Sequence, residues 1–215
     1  LHSIISSPAI GENHPPEVQY FNLENHFDAV LEGDPQGYIL LRVNFGKFYN
    51  TSIYPKSEIV KYVTVRTPHL PMVSIASDIW FEDASKMFKE LVEFVQNHPV
   101  YSKHVIGYHL ECDEWFQYMH RENGIDISPA NTRKFREWLT AKYKTDSALK
   151  TAWNNPLITL QTAVVPEDLP GNLNGVPENR TLMLRSDDRR YIDYLDYISE
   201  MVTDRIDGLA KVAKD

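Results

Sequence analysis

Residues 104–115, HVIGYHLECDEW, carry the strongest structural signal in the chain. They begin with an apolar run, Val105 to Leu110, that is typical of a strand buried within a sheet. The run leads into three acids and an aromatic residue, namely Glu111, Asp113, Glu114 and Trp115. A buried strand that delivers carboxylates at its C-terminal end is where α/β barrels place their chemistry. An ordinary strand that runs into a solvated acidic turn explains the pattern equally well.

Composition predicts one globular domain over residues 1–215, since the length is sufficient for a sizeable core. Hydrophobic residues make up 42% and charged residues 24%, as in ordinary folded proteins. A formal net charge of −8 without a basic stripe argues against nucleic acid as a partner. No apolar run approaches the roughly 18 residues of a membrane span, so no membrane partner is predicted. The sequence leaves the compartment open between cytoplasmic and secreted or periplasmic.

The sequence gives little support for a metal site. Cys112 is the only cysteine, so neither an intrachain disulfide nor a cysteine-based metal site is predicted. The eight histidines are scattered, without H-x-x-H spacing, and we predict no metal and no other cofactor. Aromatic residues make up 12% of the chain, which fits a site that stacks sugar rings, although many cores are equally aromatic.

A second strand is predicted from Tyr38 to Phe45, where YILLRVNF is almost continuously apolar. Arg42 and Asn44 are its polar interruptions. Arg42 either occupies an edge position, or forms a local salt bridge, or donates hydrogen bonds into a polar cleft, and these interpretations stay open. Between the two strands, apolar spacing from Asp83 to Asn97 predicts an amphipathic helix. A helix between two buried strands is a βαβ unit, which favours a parallel sheet.

The rest of the chain is predicted to alternate between helices and long loops. Helices are expected at Phe21 to Leu31, from the cap at Ser128-Pro129 through Tyr143, at Thr145 to Trp153, and from the cap at Ser186 to about Lys214. Irregular segments are expected at residues 1–17, 46–77 and 154–185, which are rich in proline and show little periodicity.

Two stretches of the chain resemble a known enzyme family. The strand VIGYHLECDEW (residues 105–115) resembles the fourth barrel strand of the β-galactosidase-like glycoside hydrolases, those near family 42 and clan A. The block FREWLTAKYKTDSALKTAW (residues 135–153) resembles the segment that follows in the same enzymes and is the most specific part of the match. Asp34-Pro35 with residues 38–43 looks like the preceding strand. The resemblance covers roughly residues 27–153.

The resemblance implies an α/β fold, a (β/α)8 or TIM barrel, that hydrolyses glycosidic bonds with retention of configuration. In such enzymes two carboxyl groups lie about 5 Å apart across the scissile bond, one as acid/base and one as nucleophile. The family places the acid/base at the end of the fourth strand and the nucleophile on the seventh, which has no counterpart here. We therefore expect a partial barrel around strands three and four, completed by the remainder of a longer chain or by a homo-oligomer, with an exposed sheet edge.

Matched residue by residue, Glu114 takes the place of the acid/base because it directly precedes an aromatic residue, Trp115. The family usually has Asn before this Glu, and here Asp113 stands in its place. Asp113 can accept the hydrogen bond of a sugar 2-hydroxyl, but its charge changes the pKa of its neighbour. A slightly different register gives the catalytic place to Glu111 or Asp113.

The expected ligand is a carbohydrate, either an oligosaccharide or a galactoside. The predicted substrate-binding residues are Arg42, Asn44, Trp80, Tyr108, His109, Asp113 and Trp115. The three aromatic side chains are candidates for a sugar platform, with core packing as the favoured alternative. His109 lies in mid-strand and is more readily interpreted as a hydrogen-bonded core residue. A non-catalytic carbohydrate-binding or scaffolding module is the second predicted function, favoured by Asp113 and by the missing nucleophile.

Overall fold

The computed structural model describes residues 2–6, 9–10, 18–19, 21–43, 45, 51–61, 73–110, 125–167 and 189–214. In these residues a three-stranded parallel sheet is built in the order β1-β4-β5, from β1 (His2–Ser6), β4 (Ile39–Val43) and β5 (Val105–Leu110). Two shorter strands, β2 (Ala9–Ile10) and β3 (Val18–Gln19), pair with each other in antiparallel fashion.

The described α-helices are α1 (Phe21–Gly33), α2 (Asp78–Asn97), α3 (Tyr101–His104), α4 (Pro129–Tyr143), α5 (Asp146–Ala152) and α6 (Arg189–Val212). The predicted long loop before α2 has structure of its own. It contains 3-10 turns at Thr51–Ile53 and Lys56–Glu58, and an antiparallel bridge joins Ile59 to Val73. None of these helices is both long and apolar enough to cross a lipid bilayer.

Strand β4 is the centre of the sheet, and its burial alternates along the chain. Ile39, Leu41 and Val43 are 0%, 0% and 1% exposed, whereas Leu40 and Arg42 are half-buried. Side chains alternate between the two faces of a strand, so the three buried residues share one face and belong to the main core. The predicted βαβ unit of β4, α2 and β5 is confirmed, with the two strands parallel.

Phe88 of α2 lies between the rings of Phe45 and Tyr108. Its ring centroid is 5.5 Å from that of Phe45 and 5.4 Å from that of Tyr108, at interplanar angles of 89° and 86°. Both contacts are edge-to-face, an arrangement that aromatic quadrupoles favour. Phe45 comes shortly after the end of β4, and Tyr108 belongs to β5. The Phe88 ring of α2 therefore contacts β5 and the residue Phe45 that lies just after β4.

One expectation about the strands is wrong. Residues 1–17 are not irregular throughout, because His2–Ser6 pairs in parallel with β4, and HSIIS has too few apolar residues to show a period. Of the alternatives left open for Arg42, the edge position is excluded, since β4 has a partner on each side. Strand β5 lies at an edge of the described sheet. Ile106 is 59% exposed, and β4 is the neighbour of β5 among the described strands.

Helix α2 begins at Asp78 rather than at the predicted Asp83. The Ser77 Oγ accepts a hydrogen bond of 3.2 Å from the backbone N–H of Trp80, which satisfies a free donor of the first turn. The helix ends at Asn97, as predicted, and the residues assigned to its apolar stripe face the core. Met87, Leu91 and Val95 are buried, and Phe94 is partly buried.

Helix α4 begins at the predicted cap, and a capping residue also precedes α5. The Ser128 Oγ accepts from the backbone N–H of Asn131 at the start of α4, and Thr145 caps α5 in the same way. The residues expected to form the apolar stripe of α6 are buried at Tyr191, Tyr194, Ile198, Val202 and Leu209 and partly buried at Leu195 and Ile206. Residues 186–188, the predicted cap of α6, lie outside the described residues.

Helices α2 and α6 approach each other closely at Phe81. The Arg205 guanidinium lies 4.4 Å from the centroid of the Phe81 ring, and one of its terminal nitrogens is 2.9 Å from Asp78 Oδ1. A Cβ atom added at Gly208 would lie only 2.6 Å from Cζ of Phe81. A side chain at position 208 would therefore force the Phe81 ring to shift where α6 passes it.

Replacing Gly208 with alanine is expected to lower the free energy of unfolding by about 1–3 kcal/mol, because the added methyl group overpacks against Phe81. Chemical denaturation followed by circular dichroism measures the change. Gly33→Ala is the matched control, since nothing lies within 4 Å of a Cβ there. It should be neutral or slightly stabilising. Equal stability of the two variants would contradict the close approach of the helices.

Candidate functional site

The three parallel strands end together at one edge of the sheet. Ser6 pairs with Val43, and Val43 pairs with Leu110, so the strand ends are aligned. We call this edge, defined by Ser6, Val43 and Leu110, the carboxyl edge. In α/β barrels the residues that carry chemistry gather at the carboxyl ends of the strands. In the chain, Asn44 follows Val43 directly and the acidic stretch 111–115 follows Leu110.

Five of the predicted site residues lie outside the described residues. They are Asn44, Glu111, Asp113, Glu114 and Trp115. Their predicted catalytic and substrate-binding roles stay predictions. What the structure describes is the pair of strands from which these residues continue.

Arg42 and His109 stand side by side, one residue before the carboxyl edge. They are register partners in the parallel pair of β4 and β5. Strand alternation places both on the face opposite to the one that Leu41 and Val43 bury. Arg42 is half-buried and His109 is exposed. The interpretation of His109 as a core residue is therefore wrong, because it lies on the face of β5 that points away from the core.

Next to Arg42 and His109, the same face of the sheet carries a small apolar surface. Leu40 is the register partner of Gly107, and a Cβ atom at Gly107 would lie 3.6 Å from Leu40 Cδ1, an ordinary contact. A guanidinium offers five N–H donors, and a neutral imidazole offers one donor and one acceptor. The face thus places polar groups suited to hydroxyl-rich or anionic ligands beside a small hydrocarbon surface.

Trp80 and Tyr108 lie on the core side instead. Trp80 is 1% exposed in the first turn of α2. Tyr108 is the register partner of Leu41, so it shares the core face, and its ring packs against Phe88. Burial raises the pKa of Tyr108 to about 12. These positions favour the packing alternative over contact with a sugar for both side chains.

A buried polar network that the sequence analysis missed lies in the connections that leave the carboxyl edge. Its centre is the carboxylate of Asp126, which is 5% exposed. Oδ1 accepts from the backbone N–H groups of Lys61 at 3.1 Å and Ser128 at 2.8 Å. Oδ2 accepts from the hydroxyls of Ser74 at 2.8 Å and Ser128 at 3.1 Å. Burial raises the pKa of Asp126, and these four hydrogen bonds oppose the rise.

The network continues into α4 and α6 through Asn131, which is 2% exposed. The Asn131 amide donates to the backbone carbonyl of Asp126 at 2.6 Å and to the hydroxyl of Tyr194 at 3.1 Å. The hydroxyl of Tyr197 donates to Asn131 Oδ1 at 2.8 Å. Every polar atom of the Asn131 side chain is therefore paired, as buried amides require.

Glu58 forms a second buried acidic position in the same region. Its side chain is 6% exposed, and its two oxygens accept from one terminal nitrogen of Arg133 at 3.3 and 3.2 Å. Burial disfavours the ionised form, but hydrogen bonds from Ser77 and Arg133, the charge of Arg133, and a hydrogen bond from Ser57 together lower the pKa of Glu58.

These contacts fasten two connections to each other. Residues 58–61 and 73–77 belong to the connection from β4 to α2, and residues 125–128 end the connection from β5 to α4. Asp126 joins them at both carboxylate oxygens. The network therefore holds the described parts of these two connections together. Its one sequence signal is Asp126, two residues before the recognised cap Ser128, because Asp often accepts from the backbone two residues on.

Another buried carboxylate, Asp193, is 0% exposed and ties the C-terminal helices together. Its Oδ1 lies 3.0 Å from Lys142 Nζ and 2.9 Å from Arg189. Its Oδ2 accepts from Tyr143 at 2.6 Å and Trp153 at 2.7 Å. Two cations and two neutral donors compensate the burial of one charge, which gives the residue a structural role. In the part of the chain that the structure describes, no group of three or more potential ligands is arranged to hold a metal ion.

No family model and no curated protein matches the sequence. Solved structures do resemble the fold. A β-galactosidase from Marinomonas ef1 superposes with a TM-score of 0.65, covering 92% of this chain and 28% of that one at 18% identity. A β-galactosidase from Bacillus circulans sp. alkalophilus gives 0.63, covering 98% and 30% at 16% identity. The catalytic domain of a β-amylase from Paenibacillus polymyxa gives 0.65, covering 99% and 55% at 13% identity.

At these identities the likeness concerns the fold. The chain spans less than a third of the length of the two β-galactosidases that it matches. The predicted fold class is confirmed: the chain has the architecture of a partial α/β barrel.

Replacing Asp126 with asparagine is expected to cost about 1–3 kcal/mol of unfolding free energy, because an amide NH2 would then face hydrogen-bond donors in a buried site. Urea denaturation measures the loss. The matched control is Asp204→Asn, since Asp204 is exposed in α6 and outside the network. A loss no larger than that of the control would contradict a structural role for Asp126.

The loss of unfolding free energy at acid pH is expected to depend on Glu58. A carboxyl group with a lowered folded-state pKa contributes stability that is complete above its ordinary value of 4.5 and is lost as the pH falls through the folded pKa. The unfolding free energy of the wild type should therefore fall between about pH 6 and pH 3 more steeply than that of Glu58→Gln. Glu93→Gln, at an exposed position, should follow the wild-type slope. Parallel curves for Glu58→Gln and the wild type would refute the dependence.

Proposed function

We propose that this chain is a single domain that supplies the acid/base side of the active site of a retaining glycoside hydrolase, acting on β-galactoside-like bonds. The observation that carries the proposal is the register of β4 and β5. This register aligns the two strand ends and places Arg42 beside His109. In the sequence, the acidic stretch 111–115 follows directly after Leu110 at the aligned end. Among α/β barrels, this is the position from which catalytic carboxylates come.

The comparisons support the proposal at the level of the fold. Two of the solved structures with this architecture are β-galactosidases, and a third is the catalytic domain of a β-amylase. The resemblance of residues 105–115 and 135–153 to β-galactosidase-like enzymes comes from the sequence. The fold and the sequence resemblance thus independently favour an enzyme that acts on glycosides.

In the proposed mechanism, Glu114 is protonated and donates its proton to the glycosidic oxygen as the bond breaks. A carboxylate nucleophile, assigned to no residue of this chain, forms the glycosyl-enzyme intermediate. Glu114 then removes a proton from the attacking water. The nearby charges of Glu111 and Asp113 favour the protonated form of Glu114. Arg42 and His109 bind sugar hydroxyls, and Asp113 accepts from the 2-hydroxyl.

Replacing Glu114 with glutamine is expected to lower kcat/KM for phenyl β-galactoside by about 10²–10⁴-fold, because this poor leaving group needs a proton. The kcat/KM for dinitrophenyl β-galactoside, whose leaving group departs without protonation, should fall far less, whereas its kcat should also fall because Glu114 activates the attacking water. Initial rates of the natural full-length protein measure both effects.

Glu111→Gln and Asp113→Asn are the matched controls, since each removes one carboxylate from the same acidic stretch. A loss that depends on the leaving group in one of these variants, rather than in Glu114→Gln, would move the acid/base role to that residue. Absence of galactoside turnover in the full-length wild type would refute the hydrolase proposal. The chain of residues 1–215 alone is expected not to turn over galactosides, and robust activity lost in Glu114→Gln would contradict that expectation.

The second candidate is a non-catalytic carbohydrate-binding or scaffolding module. The specific observation in its favour is Asp113, which stands where the family has Asn and adds a negative charge beside Glu114. Such a module binds methyl β-galactoside without hydrolysing any aryl galactoside. Calorimetric titration of the full-length protein, combined with the rate measurements above, distinguishes the two functions.

A further inference from the structure

A groove of about 770 Å³ runs along one side of α4, away from the residues of the carboxyl edge. Its polar lining consists of Thr132, Arg133, Arg136, Glu137, Thr140 and Gln161. Residues Ile127, Pro129 and Ala141 add apolar surface. The groove combines cationic and hydroxyl groups with hydrocarbon, in a chain whose net charge is −8.

Arg136 is held in this groove by only one of its nitrogens. Its Nε donates to the backbone carbonyl of Ala163 at 2.6 Å, and the side chain is half-buried. Among the described residues, its two terminal nitrogens have neither a hydrogen-bond acceptor nor an ion-pair partner. The guanidinium is thus oriented in advance while its terminal N–H donors stay available. This arrangement lowers the entropy that is lost when a ligand binds.

Arg133 lies three residues earlier on the same side of α4, where neighbouring side chains can act together. It contacts Glu58 through one terminal nitrogen, and its side chain is 44% exposed. The carboxylate of Glu137 is paired with Lys134 Nζ at 3.0 Å. The acids beside the groove therefore have cationic partners, whereas the charge of Arg136 has no carboxylate partner in the described part of the chain.

We propose that this groove is a binding site for the oxyanion group of a small molecule, such as a carboxylate, a sulfate ester or a phosphate ester. A planar guanidinium binds two oxygens of such a group with parallel hydrogen bonds. The amide of Gln161 and the hydroxyl of Thr132 add neutral donors at the rim. The apolar residues of the groove suit the carbon skeleton that carries the anion. The proposal does not depend on the glycosidase proposal, because no residue of the carboxyl edge takes part.

The test is isothermal titration of the full-length protein at constant ionic strength with sodium sulfate, galacturonate, galactose sulfate and neutral galactose. Saturable binding of at least one anion is expected, and galactose should not compete with it. Arg136→Gln should weaken anion binding roughly tenfold or more. Arg136→Lys should bind anions with an affinity between those of the wild type and Arg136→Gln. Lysine keeps the positive charge but lacks the planar pair of N–H donors. Sulfate binding alone assigns the site to inorganic oxyanions, and tighter binding of the sugar anions assigns it to acidic saccharides.

Lys86→Gln is the matched control, since it removes one exposed positive charge from α2, outside the groove. It should bind the anions as the wild type does. Gln161→Ala, which leaves the Ala163 contact intact, should weaken binding about threefold without changing unfolding free energy. The proposal is overturned by absence of saturable anion binding in the wild type, or by equal losses in Arg136→Gln and Lys86→Gln.

Discussion

The pairing of β4 with β5 is the constraint on which the rest of the structure depends. Because successive side chains of a strand point to opposite faces, burying Ile39, Leu41 and Val43 forces Arg42 onto the other face. The parallel register then sets His109 beside it. A slip of one residue would send Arg42 into hydrocarbon and expose its apolar neighbours, so hydrophobic burial specifies the chemistry of the face that it leaves open.

A second kind of force holds the surrounding chain in place. In addition to the apolar contacts of the core, the described parts of the connections that leave the carboxyl edge are held by the buried hydrogen bonds of Asp126, Asn131 and Glu58. Such bonds add modest stability when complete and cost much more when one partner is missing. They therefore act as a set and favour one arrangement of these connections over its alternatives.

Local patterns predicted the elements whose signals are contiguous. The strands β4 and β5, the helix between them, the cap at Ser128 and the helix start near Thr145 could all be recognised in this way. Strand β1 could not, since two isoleucines between polar residues have no period. The Asp126 network could not be predicted from local patterns either, because the partners Ser74 and Lys61 lie 52 and 65 residues away in the sequence. Likewise, only the register could distinguish the core position of Tyr108 from the exposed position of His109.

The ring of Phe88, wedged between Phe45 and Tyr108, has a geometric consequence. The gap between the chain after β4 and the neighbouring strand is spanned by the width of one benzene ring, whose dimensions do not vary. The connection from β4 to α2 is long and partly irregular, so insertions and deletions are expected to accumulate there during evolution. With this rigid ring behind the sheet, such changes in loop length can be accommodated without changing how Phe45 and Tyr108 pack against α2.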